Sequence, residues 1–336
     1  MKTIFDVAKL AGVSKSTVSR VISGSGSIKE STRIKVEKAM AELNYSPNYL
    51  AQGIRTGKTK TIALVVCEAA NLYYNELLYR IEAIARQQGY MVLFCNGGND
   101  PVRSLEYTTW LRQRVDGILY CFYKDSQETD AFYRLAAEMP VVFLDNPFGN
   151  RPNVSYVGAD GLEDIAEIVH HFKKNGAESI GFIGINEISN ITYRYMGYRA
   201  GLAACGYSLD PNLVYMADFS QIDHSHFALG YEAAKKLMSN DRKPDAIIAA
   251  TDMLAIGALR YLLEAGFDVP GQVSLTGYDN ILLSTMTTPT LSTVSQPLEQ
   301  IAQEAMSILI HKIQQDNNFN RSVLLRSAMI QRDSTK

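Results

Sequence analysis

Two hydrophobic rhythms divide the chain near residue 60. Before it, apolar positions recur at helical spacing. Thr3 and Asp6 have capping-box spacing, and Val7, Leu10 and Ala11 share one face. Ala11-Gly12-Val13 makes a turn, after which Ser14 caps a second helix carrying Val18, Val21 and Ile22. A third helix is predicted over 31–43, with Val36, Ala39, Met40 and Leu43 inward. Two short helices around a tight glycine turn, closed by a third, make a helix-turn-helix head.

Beyond residue 61 the rhythm changes to short apolar runs alternating with amphipathic segments, the pattern of parallel sheets with crossover helices. The predicted strands are 62–67, 91–95, 117–121, 141–144, 180–184, 246–250 and 273–277. Helices between them end at Gly89, Gly176, Gly206 and Gly266, each a C-cap position. Two open α/β units would place ligands in the crevice at the carboxyl ends of their strands. Segments 75–87 and 297–314 are amphipathic helices suited either to cover a lobe or to form an interface.

Charge sharpens the division. The 336-residue chain carries a net −2, yet residues 1–60 hold 11 Lys/Arg against four Asp/Glu, leaving the rest at −9. A basic head on an acidic body points to a polyanion partner for the head alone. A recognition helix enters the major groove with its N-terminal residues against base edges. Lys15, Ser16 and Arg20 are therefore the candidate base readers, since Lys and Arg donate to guanine O6/N7. Thr17 and Ser19 suit phosphate, as do Thr3 and Ser14 near helix N-termini.

The stretches "DVAKLAGVSKSTVSRVISG" and "TRIKVEKAMAELNYSPN" resemble the lactose/galactose repressor (LacI-type) family of bacterial transcription regulators, and the likeness continues through "GYRAGL", "ATDMLAIGAL" and "VSLTGYDN". It implies an α/β architecture: a three-helix head over 1–46, a hinge helix and linker over 47–60, and a two-lobed periplasmic-binding-protein-like body with parallel sheets over 61–336. The lobes it implies are 61–158 with 292–319, and 159–291 with 320–332. Within "NYLAQGI" the resemblance makes Asn48, Ala51 and Ile54 minor-groove contacts, Ile54 standing where relatives place a leucine wedge. Gly53 weakens that short helix by about 0.5–1 kcal/mol relative to alanine. Ordering of the hinge is thereby expected to follow DNA binding.

The cleft loops carry Tyr73, Tyr74, Phe122, Asp145, Arg194, Phe219, Thr251 and Asp279 as candidate effector contacts. Aromatic faces with a few charged groups are a common small-ligand lining. By resemblance Asp145, Arg194, Phe219 and Asp279 match effector positions in relatives, whereas Thr251 stands where sugar-responsive relatives have Asn, and Asn280 where a second Asp is frequent. Two competing structural roles are an Arg194–Asp279 bridge and a helix cap at Asp252, with Asp160 capping another helix. The partners expected are palindromic operator DNA, a small effector such as a sugar or sugar derivative, and a second copy of the chain.

No GxSxG elbow, Walker loop or GxGxxG follows a strand, and His224-x-His226 and His170-His171 lack a third ligand, so neither an enzyme, a metal nor a cofactor is expected. Cys67, Cys95, Cys121 and Cys205 are too dispersed for a zinc knuckle or a disulfide framework. The N-terminus lacks a signal-peptide core, which favours a cytoplasmic regulator over the rival reading, a sugar-binding protein without a regulatory switch.

Overall fold

The computed structural model describes residues 2–23, 28–45, 58–97, 101–121, 129–144, 154–186, 189–217 and 226–336. The chain divides into two compact units between Thr59 and Lys60.

The first unit contains α1 (Ile4–Ala11), α2 (Lys15–Ser23) and α3 (Glu30–Glu42). The Asp6 carboxylate accepts from the Thr3 backbone N–H at 2.7 Å and from its hydroxyl at 2.9 Å, the reciprocal arm that the Thr3/Asp6 spacing predicts. Gly12 takes the left-handed φ of 66° that stops α1 and turns the chain into α2. Val7, Ala8, Val18, Val36 and Ala39 form the buried centre, with Ile4, Ala11, Val21, Ile22, Met40 and Leu43 packed around it. Leu10 lies outside this core at 46 % exposure. The inward stripe of α1 runs instead through Ile4, Val7, Ala8 and Ala11.

The body holds two parallel sheets. The first is built from β1 (Thr61–Val66), β2 (Met91–Asn96), β3 (Gly117–Cys121), β4 (Val141–Leu144), β5 (Tyr156–Ala159) and β11 (Ser322–Leu325), in the order β11-β5-β4-β3-β1-β2. Alternate residues of each central strand feed opposite faces. Leu64, Leu119 and Val142 pack under α4 (Leu72–Gln87) and α11 (Leu298–Gln314), while Ala63, Ile118 and Phe143 enter the core on the other face with residues of α5 (Pro101–Leu111) and α6 (Thr129–Glu138). Segments 75–87 and 297–314 thus cover the first lobe: Leu77, Ile81, Ile301 and Leu309 are all buried in its core.

The second sheet is built from β6 (Ile180–Ile185), β7 (Val214–Ala217), β8 (Ala246–Ala249) and β9 (Ser274–Thr276), in the order β7-β6-β8-β9. It is packed by two helix pairs, α7 (Gly161–Lys174) with α8 (Ser189–Ala204), and α9 (His226–Met238) with α10 (Asp252–Glu264). Glycines set the spacing within each pair. A Cβ on Gly197 would run into the Leu162 carbonyl, one on Gly230 into the Leu254 carbonyl, and one on Gly257 into the Phe227 carbonyl. This is the physical content of "GYRAGL" and "ATDMLAIGAL": helix backbones in direct contact.

The chain passes between the lobes more than once. β5 lies in the first sheet and α7 in the second lobe; β10 (Thr293–Ser295) pairs antiparallel with β12 (Ala328–Ile330) in a separate ribbon. One expected boundary is corrected. Residues 322–325 belong to the first lobe, because β11 extends its parallel ladder beside β5 with Val323 opposite Val157. A four-residue strand with a half-exposed pattern carries little periodicity, and only its partner fixes its place. The segment 334–336 returns to β9: Leu275 N donates to Ser334 O at 2.7 Å, and Ser334 Oγ donates back to Leu275 O at 2.6 Å. Among the described residues no helix is long and apolar enough to cross a membrane.

Candidate functional site

Among the candidate effector residues, Asp279 lies beside Arg194 and Tyr73 is linked to that pair through Gln296. Arg194 is 3 % exposed, and its side chain leaves α8 toward the carboxyl end of β8, where Nη1 donates to Ala250 O at 2.5 Å. Nη2 lies 3.4 Å from Asp279 Oδ1, and the guanidinium carbon stacks 3.6 Å from the centroid of the Tyr278 ring. Tyr278 is held in turn by its hydroxyl, which donates to Asp164 Oδ2 at 2.5 Å. The first residue of α7, Gly161, abuts the Arg194 stem; a Cβ there would lie 3.1 Å from Arg194 Cγ. The bridge foreseen between Arg194 and Asp279 is thus present. Each charge is compensated within the protein, which fixes both groups in place.

A polar chain leads from this pair into the first lobe. Gln296, which follows β10, donates from Nε2 to Asp279 Oδ1 at 2.8 Å, and its Oε1 accepts from the Tyr73 hydroxyl at 3.2 Å. Tyr73 sits at the start of α4, whose N-cap Asn71 accepts from Tyr73 N at 3.0 Å. Arg194, Asp279, Gln296 and Tyr73 thus form one connected series from α8 to α4. A cavity of about 520 Å³ opens beside it, with Arg80, Asn280, Leu282 and Arg332 among its walls. A second approach between the lobes brings His226 Nε2 to 3.6 Å from Glu68 Oε2. Burial lowers the His226 pKa to about 4, so at neutral pH the imidazole is uncharged and the approach is no ion pair.

Behind Asp279 lies Asp252, 1 % exposed. The cap expected at Asp252 belongs one residue earlier: Thr251 Oγ1 accepts from Leu254 N at 3.3 Å. Asp252 instead pins the strand-end loop, accepting from Ile281 N at 2.9 Å and from the Thr293 hydroxyl at 2.6 Å. Asp279 and Asn280 in that loop have φ of 111° and 52°. Asn tolerates the left-handed region, which accounts locally for Asn at 280. Burial, followed by the Asp279 charge, pushes the Asp252 carboxyl well above the usual carboxylate range. Its folded pKa exceeds the unfolded value near 3.8, so the folded state keeps a proton that the unfolded chain releases, and stability falls as pH rises through that interval. Asp252→Asn is expected to remove this loss. Urea unfolding between pH 4 and 8 should show the variant gaining on the wild type as pH rises, and parallel curves would exclude the assignment.

Other candidates lie elsewhere. Tyr74 is buried in the first-lobe core, its hydroxyl 3.9 Å from Cys67 Sγ. Thr251 touches the site through Ala250, its chain neighbour, while its own oxygen serves the helix cap. Phe122, Asp145 and Phe219 lie outside the described residues, as do Asn48, Ala51 and Ile54. Sequence reasoning missed Gln296 and Tyr278. Gln296 had no signal, because a glutamine after a short β-run resembles any surface residue; Tyr278 stood in the quoted "VSLTGYDN" beside Asp279.

In the head, Ser14 caps α2: its Oγ accepts from Thr17 N at 3.1 Å and lies 2.8 Å from both Ser16 Oγ and Thr17 Oγ1. Lys15, Ser16 and Arg20 are exposed on α2, and Thr17 and Ser19 are half-buried. Thr3 is exposed at the N-terminus of α1. The first two turns of α2 therefore offer a cation, hydroxyls and a second cation on accessible surface, a set able to donate to base edges and phosphates. Among the described residues no group of three or more His, Cys, Asp or Glu is placed to hold a metal ion.

A DNA-reading helical head joined to a two-lobed ligand-binding body defines a class of regulator, and comparison with known proteins names it. Residues 3–48 match the model of bacterial regulatory proteins of the lacI family, and residues 169–335 match the periplasmic binding protein-like domain. The chain is 30% identical over 337 residues to the ribose operon repressor of Escherichia coli, covering 99% of this chain and 100% of that one. It is 31% identical over 344 residues to the HTH-type transcriptional repressor PurR of Photobacterium profundum, covering 100% and 99%. The lac repressor dimer bound to operator and the anti-inducer ONPF superposes with a TM-score of 0.87 at 26% identity, covering 99% of both chains. The protein belongs to the lacI family of bacterial transcriptional regulators.

Proposed function

We propose that this regulator is a homodimeric repressor whose head binds a palindromic operator and whose body binds a sugar or sugar derivative between its lobes. The observation that carries the ligand half is the series Arg194–Asp279–Gln296–Tyr73, which joins a buried, pre-oriented guanidinium–carboxylate pair to the first lobe. Such a pair offers donors and acceptors to neighbouring hydroxyls, and a ligand held there alters the contacts by which one lobe meets the other. Relatives whose names refer to ribose, and a lac repressor structure, agree with a carbohydrate. The coupling is reciprocal: operator DNA changes ligand affinity by the factor by which ligand changes operator affinity.

The test is a thermal-shift screen of the full chain against sugars and nucleosides, followed by binding to a duplex selected from a randomised pool. A ligand that raises the melting temperature yet leaves duplex affinity unchanged would overturn the switch. For the head, Lys15→Ala and Arg20→Ala are each expected to weaken binding to the selected duplex by about 1–3 kcal/mol, with a smaller loss on random duplex. Equal losses on both would make these side chains phosphate contacts.

A further inference from the structure

The head exposes an aromatic ring that its core does not use. Phe5, in the first turn of α1, is 61 % exposed, although its neighbours Ile4 and Val7 pack inward. The Lys15 ammonium lies 4.5 Å from the centroid of that ring, within cation–π range. Phe5 comes from the first helix and Lys15 opens the second, so the contact ties the side chain at the reading end of α2 to a fixed point on its neighbour.

We propose that Phe5 is a positioning residue for base reading: its ring holds the Lys15 ammonium at the N-terminus of α2 and so restricts which base edges the lysine can reach. This rests on the reading of Lys15 given above. A lysine carries its charge on a flexible four-carbon stem, and an unsupported ammonium at a groove entrance can settle on several acceptors, phosphates included. Docking the ammonium over a ring on another helix narrows that choice before DNA arrives. Phenylalanine has no donor or acceptor of its own, so its part in hydrogen-bond discrimination passes through Lys15. The ring also compensates the ammonium in the free protein, which explains how a large apolar group is accommodated on a polar, basic surface.

The experiment uses the full-length protein and a duplex selected from a randomised pool, with affinities for that duplex and its single-base variants read by fluorescence anisotropy. Lys15→Ala is expected to flatten discrimination at one or two base pairs by about fivefold or more. Phe5→Leu, which keeps the helix and an apolar side chain, should flatten the same base pairs by about threefold. Phe5→Tyr, which keeps the π face, should retain discrimination, and Phe5→Leu should add nothing in the Lys15→Ala background. Unchanged melting temperatures separate these effects from loss of fold.

The proposal is overturned if Phe5→Leu leaves discrimination intact while Lys15→Ala flattens it. It is also overturned if Phe5→Leu acts equally with and without Lys15, since the ring would then meet DNA itself. Were Lys15→Ala to weaken all duplexes alike, the base-reading role of Lys15 would fall, and the role of Phe5 with it.

Discussion

Replacing Arg194 with methionine is expected to cost the body about 3 kcal/mol of unfolding free energy and to abolish ligand-dependent change in duplex affinity. Methionine preserves much of the stem volume, so the loss reads the charge. Arg194 and Asp279 are both nearly inaccessible to water, and the guanidinium also satisfies the Ala250 carbonyl. Removing it takes away the nearest cation from the buried Asp279 carboxylate, which the Gln296 amide also contacts, in a loop already pinned by the second carboxyl, Asp252. The 3.4 Å approach between Arg194 and Asp279 is loose, which places the expected cost toward the lower end of the range for a broken buried pair. The double variant Arg194→Met/Asp279→Asn should recover part of the loss, because no uncompensated charge remains. Urea unfolding at neutral pH measures both. A single-variant loss below about 1 kcal/mol would mean that water already reaches the pair.

Gly257→Ala should destabilise the second lobe by about 1–3 kcal/mol, and Gly230→Ala by a similar amount. Both changes thrust a methyl group into the backbone of the facing helix, α9 against α10, where no side chain can rotate aside. The helices must separate, and separation opens space above β8, whose residues are fully buried. The informative variant is the double one. If one outward shift relieves both clashes, Gly230→Ala/Gly257→Ala will cost clearly less than the sum of the two singles. Strict additivity in denaturant unfolding would show that each glycine meets a separate, locally adjusted constraint.

The parts legible in the sequence were those with periodicity, a continuous apolar run or a glycine at a helix end. Strong apolar runs located β1, β3, β4, β6 and β8 to within a residue or so, because buried parallel strands must be apolar on both faces. Glycines at positions 89, 176, 206 and 266 marked helix ends and all have positive φ. The strands β5, β7, β10, β11 and β12 escaped, since their partly exposed patterns make no continuous apolar run and their existence depends on a partner distant in sequence. The same limit applied to the site. Arg194, Asp279 and Tyr73 stood out by residue type and motif, but Gln296 links them only after the crossover brings residue 296 beside residues 73 and 279. The cap near Asp252 was misplaced by one residue for a related reason: Thr and Asp are both good caps, and only the tertiary bonds from Ile281 and Thr293 reveal which of them is occupied elsewhere.

Segment 334–336 has a further bearing on how the chain is made. β9 is an outer strand of its sheet, and its free side is met by Ser292 and by Ser334, through backbone bonds at Gly277 and Leu275. During synthesis β9 emerges roughly sixty residues before Ser334, a delay of seconds at ordinary translation rates. For that interval only the Ser292 end of this edge can be covered, and the end at Leu275 stays open to pairing with the same edge on a neighbouring nascent chain. Segment 334–336 therefore acts as a selvage, finishing the sheet against its own copies.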